Sequence, residues 1–97
     1  MERNEISSHE AAVWRLFQLN ADRWLSSKEI ALEAKIAPRT ARAHVLKLSQ
    51  LGVIDVAELF PAHRYRLSSK AIKRNRGYTQ RLDAAVCIFY PNKSELK

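Results

Sequence analysis

Arg39, Arg42 and Lys47 fall on one face of a helix that the sequence predicts over residues 38 to about 51, with Thr40 at the border and the small Ala43 among them. A guanidinium can grip a guanine edge with two hydrogen bonds, an ammonium can hold a phosphate, and a small side chain lets backbone approach a base. The chemistry on offer is recognition of a polyanion that carries a readable edge. Gln50 shares this face, and Leu46 is its only large apolar member. The opposite face collects Ala41, His44, Val45, Leu48 and Leu51, a stripe suited to a core. A basic helical face is also what plain solvent exposure selects, so the neighbouring elements must decide between the two.

Those elements have clear local signals. Ser26 and Glu29 have capping-box spacing and open a helix that runs to Ala34. Pro38 suits a first helical position and no interior one, so one helix ends near Lys35 and the next begins at Pro38 after a short turn. Gly52 is the natural stop of the second helix. Residues 53 to 59 then read as a strand in which Ile54 and Val56 share a face and Asp55 points outward. Phe60, Pro61 and Ala62 break it, and residues 63 to 67 return with Tyr65 and Leu67 inward and Arg64 and Arg66 outward. Arg64, nearer the tip, is the better contact for a ligand; Arg66 either joins it or pairs across the strands with Asp55 or Glu58.

The pattern Glu29-Ile30-Ala31, Ile36, Pro38, Thr40, His44, Leu48, Leu51, Gly52 and Ile54 resembles the winged helix-turn-helix regulators of the ArsR and MarR kind, over residues 25 to 67. The resemblance implies that the helix from Pro38 enters the major groove of double-stranded DNA while Ser27 and Lys28 approach phosphate. It also implies a short strand at Trp24 and Leu25 paired with the wing. The expected DNA-binding set is Ser27, Lys28, Arg39, Thr40, Arg42, Ala43, Lys47, His63 and Arg64. Two departures stand out: Ala37 replaces the usual capping Ser or Thr, and the wing tip has no glycine, which implies a short, stiff wing.

Charge agrees with this placement. The chain of 97 residues carries a net charge of +7, and residues 35 to 76 hold ten basic and two acidic side chains, so this segment carries the excess. A membrane-surface role fits poorly, because the basic residues border a turn and a hairpin instead of an amphipathic helix with an aromatic face. No basic-then-apolar leader opens the chain, and the longest apolar run, residues 84 to 90, is far short of a membrane span. The expectation is a cytoplasmic protein with its single cysteine, Cys87, buried in a reducing compartment. His9, His44 and His63 lack metal-site spacing, two glycines cannot build a phosphate loop, and no nucleophile-base set stands out. Neither metal, cofactor, small-molecule site nor enzymatic activity is therefore expected.

The flanks supply core. Ser7 and Glu10 repeat the capping-box spacing, after which Ala12, Val13, Leu16, Phe17 and Leu19 recur at helical spacing, with Trp14 able to join them. After the wing, Ser68 or Ser69 can cap a helix holding Ala71 and Ile72, followed by Lys73, Arg74 and Arg76 and a break or kink at Gly77. From Tyr78 onward Leu82, Ala85, Val86 and Phe89 form a helical stripe, although residues 86 to 90 alone fit a strand. Leu82, Val86 and Phe89 exceed what so small a domain can cover and are expected to pair with a second copy; the alternative is that they fold back onto their own core. Residues from 91 on read as a polar tail. The expected architecture is mainly α with a small β-hairpin: a three-helix winged domain over residues 1 to 76, and a C-terminal dimerisation helix with its tail over residues 77 to 97. The matching function is sequence-specific DNA binding by a dimeric transcriptional regulator. A plasmid or phage replication or partition protein, or a protein-interaction module using Leu46, would fit the same domain.

Overall fold

Ser7 starts the first helix, its hydroxyl accepting a hydrogen bond from the Glu10 N–H at 3.1 Å. In this computed structural model, which describes residues 6–58 and 63–91, the elements in order are α1 (Ser8–Leu19), α2 (Ser27–Ala34), α3 (Pro38–Gln50), β1 (Ile54–Ala57), β2 (Arg64–Leu67), α4 (Ala71–Arg74) and α5 (Arg76–Phe89). The wing-tip residues Leu59, Phe60, Pro61 and Ala62 and the tail beyond residue 91 lie outside the described residues, as do the side chains of Ala71 and Ile72. The strands pair antiparallel from Ile54 opposite Leu67 to Ala57 opposite Arg64. The expected pairing of the segment before α2 with the wing is a single isolated bridge at Leu25, whose N–H donates to the Tyr65 carbonyl and whose carbonyl accepts from the Tyr65 N–H, both at 2.7 Å.

One apolar cluster joins all these layers. Phe17, Leu25, Ile30, Leu48, Leu82, Val13, Val45 and Val53 are its largest fully buried side chains. Removing each from water contributes about 1.5–3 kcal/mol before entropic costs. Leu82 and Val86, expected to meet a second copy, are only 0% and 2% exposed within the single chain. The reason is a second stripe on α1. Ala11 and Trp14 are buried, and the Trp14 Nε1–H and Gln18 Nε2–H both donate to Asp83 Oδ1, at 2.9 and 2.8 Å, so α5 is seated along α1. Of the proposed dimerisation stripe only Phe89, 43% exposed, still faces outward.

Other local expectations also need correction. Gly77 does not break the helix: the break is at Asn75, and Gly77 sits in the first turn of α5. The predicted domain boundary at residue 76 thus falls at the start of an element that shares the common core. Leu19, the last residue of α1, is 54% exposed, and Cys87 is exposed because it lies on the side of α5 away from Val86. No described helix is long and apolar enough to cross a membrane.

The end of α3 is fixed by the backbone itself. Gly52 adopts φ +77°, its N–H donates to the Ser49 carbonyl at 3.1 Å, and the Val53 N–H reaches the Leu48 carbonyl at 3.2 Å, which are the paired bonds of a Schellman stop. Val53 and Leu48 are both fully buried there. A Cβ at position 52 would lie 3.2 Å from Arg74 Cδ and would have to adopt the left-handed backbone. Gly52→Ala is therefore expected to destabilise the fold by about 1 kcal/mol or more in urea unfolding. An unchanged midpoint would show that the stop does not need glycine.

Candidate nucleic-acid interface

The capping box of α2 is complete: Ser26 Oγ accepts from the Glu29 N–H at 3.1 Å, and Glu29 Oε1 accepts from the Ser26 N–H at 2.9 Å. The helix ends at Lys35, which takes a left-handed φ of 61° so that the Ile36 N–H can return to the Ala31 carbonyl. Three residues later Pro38 occupies the first turn of α3, and Ala37 offers no side-chain cap. Ile30 and Ala31 of α2 and Ala41, Val45 and Leu48 of α3 enter the core. Period 3.6 then leaves Arg39, Arg42, Ala43, Leu46, Lys47 and Gln50 exposed and Thr40 half-buried. Ser27 is half-buried and Lys28 exposed at the start of α2. Among the described residues no acidic side chain forms an ion pair with Arg39 or Arg42.

The hairpin stands beside this face. Arg42, Ala43, Leu46 and Ser49 form one wall of a cleft of about 560 Å³ whose other wall holds Val56, Glu58, His63 and Tyr65. Arg42, Ala43 and His63 of the predicted set are thus brought together. Val56 shares a strand face with Ile54 as expected, but the core ends at Ile54, and Val56 is left 39% exposed in the cleft. Arg64 is half-buried opposite Ala57. Arg66 lies opposite Asp55 in register, yet its guanidinium stacks over the Trp24 ring at 4.2 Å, so its partner is an aromatic face instead of a carboxylate.

Lys47 departs furthest from expectation. Its Nζ is 3.1 Å from Glu10 Oε2 and 5.6 Å from the centre of the Tyr78 ring, so it turns from the presented face toward α1 and α5. Glu10 is only 4% exposed, and its carboxylate also accepts the Tyr78 hydroxyl hydrogen bond. Three helices meet on this one carboxylate. Spacing could not reveal it, because Glu10 occupies a capping-box position whose carboxylate usually returns to its own helix start. Beside it the rings of His44 and His9 are 6.5 Å apart, edge to face. Burial holds the His44 imidazole below its ordinary pKa; Glu10 pulls the other way, while His9 and Lys47 add to the lowering.

No protein-family model matches the chain, and no curated protein is similar to it in sequence. Solved structures are similar in shape. A possible transcriptional regulator from Methanosarcina mazei Go1 superposes with a TM-score of 0.64 at 17% identity, over 93% of this chain and 78% of that one. The ST1889 protein of Sulfolobus tokodaii gives 0.61 at 19% identity, over 86% and 82%. MepR, a transcription regulator of the Staphylococcus aureus multidrug efflux pump MepA, gives 0.57 at 17% identity, with 82% of this chain spanning 60% of MepR. The fold is a winged helix-turn-helix.

Within the winged helix, α2 and α3 are the paired helices and β1–β2 the wing. The elements missed by spacing are the long-range ones: Glu10 with Lys47 and Tyr78, Trp24 with Arg66, and the apolar cleft between α3 and the wing.

If Lys47 acts as a buttress, Lys47→Met should lower stability by about 1–2 kcal/mol, below the range for a fully buried pair because its side chain is half exposed. In a Glu10→Gln background the same change should cost clearly less; equal costs in both backgrounds would deny the coupling. His44 adds a pH dependence. Its lowered pKa means that the unfolded chain takes up the proton first, so its contribution is full above the ordinary imidazole value and is lost as pH falls toward the folded one. Between about pH 7.5 and 5.5 the wild type should lose more unfolding free energy than His44→Gln. Identical losses would remove His44 from the pH response.

Proposed function

We propose that this protein binds double-stranded DNA sequence-specifically, as a dimeric transcriptional regulator. The observation that carries the reading is the outer face of α3. Arg39 and Arg42 stand exposed on a helix whose rotation and ends are fixed, within a segment of ten basic and two acidic side chains. Arg39 and Arg42 read base edges, Ala43 permits close approach, and Thr40, Ser27, Lys28, His63 and Arg64 hold the flanking phosphates. Lys47 contributes to the field and buttresses α3. The dimer assignment is supported by Ile88, 72% exposed, beside Phe89 on the last turn of α5, where a second copy would cover both. The winged helices that this chain resembles in shape include named transcription regulators, which supports the regulatory role.

Selection of bound duplexes from a random pool tests this directly. The recovered duplexes should carry two inverted half-sites about one turn, 34–36 Å, apart. On such a site Arg42→Ala should cost about 1–3 kcal/mol and relax preference at one position, while Arg64→Ala should reduce the slope of log K against log salt by about 0.9. Binding that does not respond to salt, or no enrichment of any duplex, would overturn the assignment.

A further inference from the structure

Leu46 is 57% exposed in the middle of the cationic face, and across the cleft Val56 is 39% exposed. Ala43 lies beside Leu46 on the same wall. Ser49 adds no free donor to that wall, because its hydroxyl donates back to the Leu46 carbonyl at 2.8 Å. Glu58 in the cleft lining repels phosphate, so the cleft is not a simple anion channel. Its occupant must be locally apolar yet belong to something drawn to the ten basic and two acidic side chains of residues 35 to 76.

The major groove of duplex DNA meets both demands. Its rims are phosphates, and among its base edges only thymine offers an apolar group, the C5 methyl. We propose that Leu46, with Ala43 beside it, is a specificity-determining residue that seats a thymine methyl, while Arg42, on the same cleft wall, reads an adjacent guanine. This rests on the DNA-binding reading above and goes beyond it by naming the chemical group recognised. A leucine wall rewards the methyl through burial and offers no hydrogen bond to cytosine or adenine at that position.

The test uses the full chain and a duplex recovered from the random pool, with thymines replaced one at a time by deoxyuridine, which removes only the methyl. A single replacement at one position of either half-site should weaken binding about fourfold, the equivalent of one buried methyl-sized group at about 0.8 kcal/mol. Leu46→Ala should lose most of the preference for the thymine duplex over the deoxyuridine duplex. Leu46→Met, which keeps an apolar contact, should retain discrimination. If every deoxyuridine duplex binds like its parent while Arg42→Ala still weakens binding, the methyl assignment fails and DNA reading stands; the cleft would then be free for an apolar protein partner. A Leu46→Ala variant that discriminates as strongly as the wild type overturns the assignment as well. Absence of salt-dependent binding to any duplex removes both readings together.

Discussion

Ala41, Val45 and Leu48 are each at most 1% exposed, and their burial fixes the rotation of α3 about its own axis. Turning the helix by one residue, about 100°, would carry an apolar side chain into water and bring Arg42 toward the core. The first change forfeits about 1.5–3 kcal/mol, and the second places an unpaired charge in an apolar site, which costs more. The presented face is therefore a consequence of the buried one. Pro38 at one end and the Gly52 stop at the other set its length, so the cationic side chains have little freedom in where they stand.

A second restraint acts from outside the paired helices. Glu10 of α1 is buried and receives Lys47 from α3 and the Tyr78 hydroxyl from α5. A buried carboxylate rarely adds much net stability, since desolvation offsets most of the attraction. Its effect is directional: an apolar contact tolerates sliding, whereas a charge-assisted hydrogen bond favours one placement of donor against acceptor. The bond therefore resists slippage of α3 along α1. It also makes α5 part of the body that holds α3, a different role from that of an appended arm.

Signals confined to one element were legible in the sequence. The Ser26–Glu29 box, the Pro38 start, the Gly52 stop and the Ala41, Val45 and Leu48 stripe all follow from backbone hydrogen bonding and helical period, and each appears where the residues place it. The bridge between Leu25 and the wing was available only through family resemblance. What remained hidden depends on which elements meet. Leu82 and Val86 look like an unpaired stripe until Ala11 and Trp14 are seen to give α1 a second buried side. Arg66 looks like a cross-strand ion partner until the approach of Leu25 brings Trp24 beneath it. Periodicity gives each helix its apolar direction; it does not say how wide the covered sector is or which neighbour covers it.

The internal partnerships also separate attraction from contact. Ten cations between residues 35 and 76 set the long-range field, and every one of them adds to it wherever its side chain is held. Local contact is more restrictive. Lys47 is bound to Glu10 and Arg66 to the Trp24 ring, so neither can reach a phosphate without giving up a partner. Arg39 and Arg42 keep their exposed positions with no described acid to restrain them. Under the proposed DNA-binding role, the face that attracts a polyanion is thus broader than the face that reads one, and the reading face is the first turns of α3 with its cleft toward the wing.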